Sequence, residues 1–534
     1  MSYLEPIRIN KISLENFQTF REKVEIPIRP LTFLFGPNSS GKSSVLDSLK
    51  LVKAVFNDGD AEITSYFRRW AHKANQVDST TTQRVKKMTV EVEFSAWEFL
   101  IGGYHFLGLT QSLPPEYWTE SGLKELLSDC EGPYEVKIEL VPTELQSIDD
   151  GYVSRTLLNN VDITVSANGL KLMRLFLPDD DDLPEVEFFP KAFGSMFAEL
   201  AARHDVNIND PRIYKVSCYP PAYGDGFELH ASGGHEPYDR DLLAIANHIF
   251  KCFSGAKLVP EIVSSDRSTI PNDRLASFFS DESFPQGIPN NFLRAPIDCA
   301  ETLNTMGSGT MLEICKSRFD EVKNLRTGEN KIDESNESLH NFINRNLSQH
   351  LFLDQGYQIG FDVCEINPPQ NSKSPEIFVA LIVAFLIDNS GRKLTFQDVG
   401  TGISCVVPVI SALHQLQSFI QQPELHLHPA LQSALGDILV EQVNYKNPGR
   451  HIIETHSDYL LLRCLRRIRE TSNGKYPAES KLRLKPEDVS ILYFEPQLDG
   501  ATTIKKIRAS TQGDFLDRWP RGFFEERGKD IFDE

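Results

Sequence analysis

The residues with the clearest chemical meaning form a glycine-containing loop near the N-terminus. They fit the pattern G-x-x-x-x-G-K-[ST], with one further serine behind it: Gly36, Pro37, Asn38, Ser39, Ser40, Gly41, Lys42, Ser43 and Ser44. The loop stands between an apolar run at 31–35 and a helical pattern at 45–52, which is the context that this motif requires. Its backbone N–H groups can surround phosphate oxygens, with Lys42 directed to the β and γ phosphates and Ser43 to Mg²⁺. The sequence therefore predicts a site for ATP and Mg²⁺.

A second glycine-containing loop lies near residue 400. Gly400, Gly402 and Ser404 stand just before an amphipathic helical pattern at 406–416. A helix that begins in this way presents backbone N–H groups and can bind an anion. A tight turn is the alternative interpretation of two glycines separated by one residue, and the residues alone leave both open.

Two short apolar runs beyond this loop end in polar residues. The first leads into Gln421, Gln422 and Glu424, and the second continues as ETHS, which contains His456.

Histidine and cysteine residues are further candidate metal ligands. His426 and His428 belong either to a surface turn or to a zinc pair, and the sequence shows no third ligand for zinc. The eight cysteines are scattered singly without a C-x-x-C pair, which favours reduced thiols.

Taken in order, these segments resemble the ATPase heads of the ABC/SMC superfamily, in the branch that includes OLD-like and other bacterial defence ATPases. The resemblance implies that 400–404 is the signature loop, whose glycines and serine contact the γ-phosphate held by another protomer. It implies that 418–424 is the Walker B strand and 425–429 the D-loop, and that His456 is the switch histidine. Such a site requires a homodimer or a higher homo-oligomer that encloses two ATP molecules.

The Walker B segment departs from the pattern of this superfamily. Its strand ordinarily ends in two acidic residues, or in an acid and a glutamine, whereas Gln421 and Gln422 stand here. A neutral amide binds Mg²⁺ less well and cannot act as a general base. Hydrolysis is therefore expected to be slow or abolished. Two hypotheses remain open: a natural slow hydrolase in which Glu424 partly compensates, or a Gln421 introduced to trap ATP.

The patterns predict an α/β fold, a P-loop NTPase of the ABC/SMC head type with an antiparallel β lobe and a helical insertion. The alternation of the first strand slips at Asn10-Lys11, which predicts a bulge. The expected parts are the N-terminal head with the P-loop (1–60), the β-rich lobe (61–187), a mainly helical insertion for oligomerisation or partner docking (188–354) and the C-terminal head (355–534).

The C-terminal tail carries a second resemblance. Residues 491–495, 514–516 and 519–524 are similar to the closing segment of the ATPases of Septu anti-phage systems, the PtuA family, including retron-associated forms. This resemblance implies a separate HNH nuclease subunit of the PtuB type. For retron-associated forms it also implies a reverse transcriptase with its DNA–RNA hybrid.

Composition and charge limit the other classes of function. The chain is 40% hydrophobic and 24% charged, as in ordinary globular proteins. It contains no run that approaches the roughly 18 apolar residues needed to span a bilayer. The N-terminal segment lacks the features of a signal peptide, so a cytoplasmic protein without membrane contact is expected. The net charge of −20 argues against extensive coating of nucleic acid.

A cluster of basic residues keeps nucleic-acid contact open as a hypothesis. Arg463, Arg466, Arg467 and Arg469 follow the switch histidine on a predicted helix. They form either a solvated helix face or a surface for nucleic acid or an acidic partner. Two alternatives to the defence ATPase therefore remain: a RecF-like or SMC-like DNA-repair clamp, and an ATPase toxin with its own nuclease site in residues 190–350.

Overall fold

The computed structural model describes most of the chain. The described residues are 8–53, 87–95, 133–149, 152–178, 183–189, 191, 194–218, 222–223, 227–229, 237–255, 261–263, 276–280, 314–315, 317–318, 321, 338–352, 356–366, 379–394, 398–445 and 449–520. The chain divides into two compact units. The first comprises Met1–Ile28, Gly36–Pro260 and Tyr493–Lys505, and the second comprises Arg29–Phe35, Glu261–Leu492 and Lys506–Glu534.

Strands predominate in the described residues up to 255. In chain order the elements are β1 (Arg8–Glu15), β2 (Val24–Pro27), β3 (Leu31–Phe35), α1 (Lys42–Lys53), β4 (Met88–Ser95), β5 (Tyr134–Asp149), β6 (Tyr152–Ala167), β7 (Leu170–Leu177), β8 (Glu185–Phe188), α2 (Gly194–Arg203), a 3₁₀ turn (Pro211–Tyr214), β9 (Lys215–Ser217), β10 (Ala222–Tyr223), β11 (Phe227–Glu228) and α3 (Pro237–Gly255).

Helices and strands alternate in the C-terminal part. The elements are β12 (Glu261–Val263), β13 (Ala276–Ser280), α4 (Leu339–Asn346), a π-helical turn (Leu347–Leu351), β14 (Gln358–Ile366), β15 (Val379–Ile387), β16 (Lys393–Leu394), α5 (Thr401–Leu413), β17 (Gln417–Gln421), α6 (Pro429–Val443), β18 (Arg450–Glu454), α7 (Asp458–Ser472), a 3₁₀ turn (Pro486–Asp488), β19 (Val489–Pro496) and β20 (Thr502–Ile507).

The first unit contains an antiparallel sheet of eight strands in the order β2-β1-β4-β5-β6-β7-β8-β9. Apolar side chains such as Ile12, Val92 and Ile163 are fully buried on its strands. The register of β1 against β4 shifts between Ile9 and Lys11, which confirms the predicted bulge. The α/β fold with an antiparallel β lobe is thus confirmed.

A sheet in the order β12-β17-β18-β3-β19-β20 carries the C-terminal motifs. Strands β12, β17, β18 and β3 pair in parallel, and all five residues of β3 are buried. Parallel strands are covered on both faces, so they have continuous apolar sequences. A smaller antiparallel sheet in the order β13-β15-β14, with β16 beside β15, lies in the second unit.

Helix α5 differs from its predicted amphipathic form. It begins at Thr401 and ends at Leu413, and every residue from Ile403 to Leu413 is buried, including Ser404 and Ser411. A helix with apolar residues on all sides is a core helix, and the packing of β17 against α5 accounts for part of this burial. The apolar residues that predicted one buried face of an amphipathic helix therefore belong to a helix that is buried on all sides.

The described part of residues 188–354 contains both helices and short strands. Helices α2, α3 and α4 lie in this range, together with strands β9 to β13. Residues 311–325 carry a helical pattern and residues 179–182 are four consecutive aspartates; most of the first range and all of the second lie outside the described residues. None of the described helices is long and apolar enough to cross a membrane.

His451 is a fully buried histidine in the parallel sheet. Its Nδ1 lies 2.7 Å from the Ser418 hydroxyl on the neighbouring strand, and its Nε2 has no hydrogen-bond partner in the described structure. Burial lowers the pKa of His451 from 6.5 to about 3, because a charged imidazolium would be desolvated there. The side chain is therefore neutral in the folded protein across the physiological range.

We expect stability to fall as the pH drops from about 6.5 towards 3, because the unfolded chain then takes up a proton that folded His451 excludes. The loss from this one group is about 2 kcal/mol at pH 5. Urea unfolding at pH 7 and pH 5 measures it. His451→Asn, which keeps a neutral hydrogen-bonding side chain, should lose correspondingly less stability between these pH values. Equal losses in the two proteins would contradict the assignment.

Candidate nucleotide-binding site

The predicted P-loop lies between β3 and α1 and depends on two glycines. Gly36 has a φ of 145°, and a Cβ there would lie 2.6 Å from the carbonyl oxygen of Phe494. Gly41 has a φ of 89°, and a Cβ there would collide with the hydroxyl of Thr19. Both positions combine a backbone conformation that favours glycine with a close neighbour. Local steric constraints therefore explain why glycine occupies positions 36 and 41 of the motif.

Lys42 is folded back over the loop. Its side chain is buried, at 3% exposure, and Nζ donates hydrogen bonds of 2.9 Å to the carbonyl oxygens of Gly36 and Pro37. These carbonyls are neutral acceptors, and a phosphate oxygen is a stronger partner for an ammonium group. The ammonium is therefore held at the loop by contacts that a phosphate could replace.

The serines of the loop have different surroundings. Ser43, the predicted Mg²⁺ ligand, is exposed. Ser44 is buried, and its hydroxyl donates a 2.6 Å hydrogen bond to Gln18 Oε1, which gives it a structural partner. The carbonyl oxygen of Ser40 accepts a 3.0 Å hydrogen bond from the hydroxyl of Thr502. Of the two serines after Lys42, Ser43 has the exposure that a ligand needs.

The loop at residue 400 forms the N-terminus of α5. Gly400 is the N-cap residue, is exposed and makes no side-chain cap hydrogen bond, while the N–H of Ile403 donates to the carbonyl oxygen of Gly400 at 3.0 Å. A helix start of this kind can bind an anion. A Cβ at Gly402 would lie 2.9 Å from the carbonyl oxygen of His426, which explains glycine there by close packing. Ser404 is buried in the helix. The predicted γ-phosphate contact therefore fits Gly400 best.

The carboxyl ends of β17 and β18 bring two polar side chains together. Gln421 Nε2 donates a 3.0 Å hydrogen bond to Oε2 of Glu454, and the N–H of Gln422 donates to the backbone oxygen of Glu454 at 2.6 Å. Gln422 has a φ of 47°, an uncommon value for a residue other than glycine and one that recurs at functional sites. The turn after the predicted Walker B position is thus fixed against the neighbouring strand.

Glu424 binds the loop that carries His456, the predicted switch histidine. Its Oε2 accepts a 2.8 Å hydrogen bond from the Thr455 hydroxyl, and its Oε1 accepts one of 2.8 Å from the N–H of His456. The residue His456 is exposed. The following residue, Ser457, caps α7 and donates a 2.6 Å hydrogen bond to Gln432. Glu424 therefore positions the switch segment.

Sequence reasoning missed some of these polar residues. Glu454, Thr455 and Gln432 received no role, although Glu454 is an acidic residue at the end of an apolar strand pattern. That signal could have singled it out, because a carboxylate at the end of a buried strand is costly unless it is paired. Its contact with Gln421 depends on strand order, which no local pattern reveals.

The histidine pair has a structural explanation in part. His428 is the N-cap residue of α6, and its Nδ1 accepts a 3.3 Å hydrogen bond from the N–H of Ala430. His426 is exposed and has a φ of 60°. These contacts favour the surface turn over the zinc pair.

The basic residues after His456 face acidic partners. Arg467 donates to Asp437 at 2.7 Å and to Glu470 at 2.6 Å, and Arg463 donates to Asp437 at 3.0 Å. Burial would raise the pKa of Glu470, but hydrogen bonds from the surrounding basic and tyrosine side chains hold it well below its ordinary value. Further pairs join Arg466 to Glu470, Arg469 to Asp514, Lys505 to Glu495 and Arg508 to Asp517. This arrangement argues against a surface of these arginines dedicated to nucleic acid.

Family models match three parts of the chain. A model described as "AAA ATPase domain" matches residues 8–130, and one described as "AAA domain, putative AbiEii toxin, Type IV TA system" matches residues 300–463. The first contains the P-loop, and the second contains the ends of β17 and β18. The chain is an ATPase of the P-loop class. A model of a protein of unknown function, DUF3696, matches residues 484–533. No curated protein matches the chain.

Solved structures of SMC head domains also align with the chain. The head from Thermotoga maritima is 10% identical and covers 94% of this chain and 100% of its own, with a TM-score of 0.35. A head with an extended coiled coil from Pyrococcus furiosus, bound to the C-terminal domain of ScpA, is 11% identical over 94% and 96%, with a TM-score of 0.40. A third head, bound to the C-winged helix domain of ScpA, is 10% identical over 94% and 98%, with a TM-score of 0.43.

We predict that Lys42→Ala weakens ATP binding by about 10- to 100-fold, because a charge-assisted hydrogen bond to phosphate contributes roughly 1.5–3 kcal/mol. Isothermal titration calorimetry with ATP and Mg²⁺ measures this loss. Lys50→Ala on the same helix α1 is the control, since Lys50 lies outside the loop. Equal affinities for Lys42→Ala and the parent chain would rule out the assigned role of Lys42.

Proposed function

We propose that the chain is an ABC/SMC-type ATPase subunit of a bacterial anti-phage defence complex. ATP and Mg²⁺ bind at the P-loop, two heads close around the nucleotides, and this closure controls a separately encoded nuclease. Open and closed heads would be two discrete states, and the γ-phosphate of bound ATP can shift the equilibrium between them.

The exposed, uncapped N-terminus of α5 at Gly400 is the observation that carries the dimer proposal. A helix N-terminus with available N–H groups attracts an anion, and the γ-phosphate of a second head has the required charge. Strand order gives further support, because β18, which leads into His456, lies between the Walker B strand β17 and the P-loop strand β3. A γ-phosphate sensor is expected at that central position.

The nuclease proposal rests on the resemblance of the tail to Septu ATPases and on the second family model. That model is named for a putative toxin of a toxin–antitoxin system, which is consistent with a chain that controls a toxic effector. We propose an HNH nuclease subunit of the PtuB type as this effector. In a retron-associated form, a reverse transcriptase with its DNA–RNA hybrid joins the complex.

The name of the second family model, which refers to a putative toxin, also favours one alternative, an ATPase toxin with its own nuclease site. Expression of this chain alone separates the two, since a toxin harms cells without a second polypeptide and a regulator does not. The DNA-repair clamp has less support, because basic residues that could bind a DNA backbone are paired with carboxylates.

Purification of the tagged chain from its native operon, with ATP and Mg²⁺ present, tests the defence proposal. Mass spectrometry and sequencing would identify co-purifying proteins and nucleic acids. An HNH nuclease in the complex supports the proposal. Recovery of a bare dimer with generic DNA would overturn it and favour the repair clamp.

We predict that Gly400→Glu weakens ATP-dependent dimerisation while ATP binding by each P-loop persists. A Cβ at Gly400 meets nothing within 4 Å, so the fold tolerates the change. The added carboxylate would face the γ-phosphate of the second head, and such like-charge contacts weaken association at least tenfold. Sedimentation with ATP and Mg²⁺ measures the dimer. Leu498→Glu, at another exposed position, is the charge-matched control; a Gly400→Glu chain that dimerises as well as this control argues against the trans site.

A further inference from the structure

Thr502 joins the far end of the chain to the phosphate-binding loop. Its hydroxyl donates a 3.0 Å hydrogen bond to the carbonyl oxygen of Ser40, although the two residues are 462 positions apart. Both residues belong to the compact unit that contains the P-loop. We propose that Thr502 is a positioning residue of the nucleotide site, whose hydroxyl holds the P-loop in the shape that binds the phosphates of ATP. This inference rests on the proposed function only in that ATP binds at the P-loop.

The carbonyl of Ser40 and the N–H of Gly41 belong to one peptide group. Because a trans peptide is planar, its C=O and N–H point in opposite directions. A carbonyl held by Thr502 therefore turns the Gly41 N–H away from β20. That N–H donates to no acceptor among the described residues, and it stands at the start of α1, where backbone N–H groups can bind phosphate oxygens. The Thr502 hydroxyl thus sets the direction of a donor that a phosphate can use.

The backbone on both sides of Ser40 has an uncommon conformation. Ser39 has a φ of 61°, which costs free energy in a residue other than glycine and persists where surrounding contacts enforce it. Gly41 has a φ of 89°, and the N–H of Ser40 donates a 3.3 Å hydrogen bond to the carbonyl oxygen of Pro37. Turns of this kind direct successive N–H groups into a concave surface that binds anions. The hydrogen bond from Thr502 acts on the residue between the two left-handed positions.

Loss of the Thr502 hydroxyl would leave a buried acceptor without its partner. Ser40 is 1% exposed and Thr502 is 4% exposed, so water does not readily replace the hydroxyl. An unpaired buried carbonyl is costly, and rotation of the peptide towards another donor would also redirect the Gly41 N–H. Fewer molecules would then have the loop in its binding shape. The apparent affinity for ATP falls in proportion to that fraction.

Strand β20 can position the loop because contacts outside the loop hold the strand. The N–H of Thr502 donates a 2.8 Å hydrogen bond to the carbonyl oxygen of Thr19. In the turn before β20, Asp499 accepts hydrogen bonds from Arg21 through its carboxylate at 3.0 Å and through its backbone oxygen at 2.6 Å. These contacts tie β20 to the segment after β1. The Thr502 hydroxyl therefore belongs to a strand that is fixed independently of the P-loop.

Two variants of Thr502 provide the test. Thr502→Val replaces the hydroxyl with a methyl group of similar size, whereas Thr502→Ser keeps the hydroxyl and removes the methyl group. We expect Thr502→Val to weaken ATP binding about fivefold, the loss of one net hydrogen bond, and Thr502→Ser to bind within about twofold of the parent chain. Calorimetry of the full chain with ATP and Mg²⁺ measures both. The reverse order, a weakened serine variant and an unchanged valine variant, would assign the effect to packing and overturn the proposal.

Thr503→Val is the matched control. It makes the same change at the next residue of β20, where the side chain is exposed and its hydroxyl accepts a 2.9 Å hydrogen bond from Gln497 within the hairpin. Its affinity for ATP should equal that of the parent chain. A loss as large as that in Thr502→Val would mean that any such change in β20 has this effect, and it would overturn the role of the Thr502 hydroxyl.

Inorganic triphosphate shows whether the effect lies at the phosphates. It has the phosphate chain of ATP without the adenosine, so Thr502→Val should weaken its binding by the same factor as that of ATP. An unchanged affinity for triphosphate beside a weakened affinity for ATP would place the effect at the adenosine and overturn the proposal. Thermal unfolding without nucleotide confirms that each variant is folded when these affinities are compared.

The outcomes for the two proposals are distinct. A parent chain that binds neither ATP nor triphosphate contradicts the nucleotide site itself. A parent chain that binds ATP no more tightly than Thr502→Val contradicts only the role of Thr502. Should Thr502→Val fail to fold, Thr502→Ser and Thr502→Ala decide, because these two differ only in the hydroxyl. Binding about fivefold tighter in the serine variant supports the proposal, and equal binding overturns it.

Discussion

The parallel pairing of β17, β18 and β3 is the constraint on which the polar site depends. Their register aligns Gln421, Glu454 and Leu34 across neighbouring strands. The backbone hydrogen bonds of the parallel sheet fix this alignment. The segments that follow these strands in the chain contain the P-loop, the predicted Walker B turn and the predicted switch segment. A register change of one residue on β18 would turn Glu454 to the opposite face of the sheet.

Polar groups at this edge have separate tasks. Both carboxylate oxygens of Glu424 accept hydrogen bonds from the segment that carries His456. Glu454 instead accepts a hydrogen bond from Gln421 at the end of β17. The backbone carries strain at the same place, since Gln422 and His426 have φ values of 47° and 60°. Such conformations cost free energy and persist where surrounding contacts enforce them. The turn between β17 and α6 is therefore held in one shape by the contacts of Glu424 and by the close approach of Gly402.

Features with a local cause were predictable from the sequence. The P-loop glycines and the bulge near Asn10 follow from spacing and alternation, which act over a few residues. Features with a non-local cause were not. The contact of Glu454 with Gln421 depends on which strands are neighbours, and the full burial of α5 depends on what packs around it. The pairing of Arg467 with Asp437 likewise joins residues 30 positions apart. The sequence left these arginines as either a solvated helix face or a binding surface, and the structure shows them in an ion-pair network.

The P-loop also depends on residues from the far end of the chain. Thr502 donates through its hydroxyl to the carbonyl oxygen of Ser40 and through its N–H to the carbonyl oxygen of Thr19. The carbonyl oxygen of Phe494 occupies the space that a side chain at position 36 would need. Strands β19 and β20, which supply these contacts, belong to the tail segment matched by the DUF3696 model. A displacement of residues Tyr493–Lys505, which belong to the same compact unit as the P-loop, would change the hydrogen bonds of the loop.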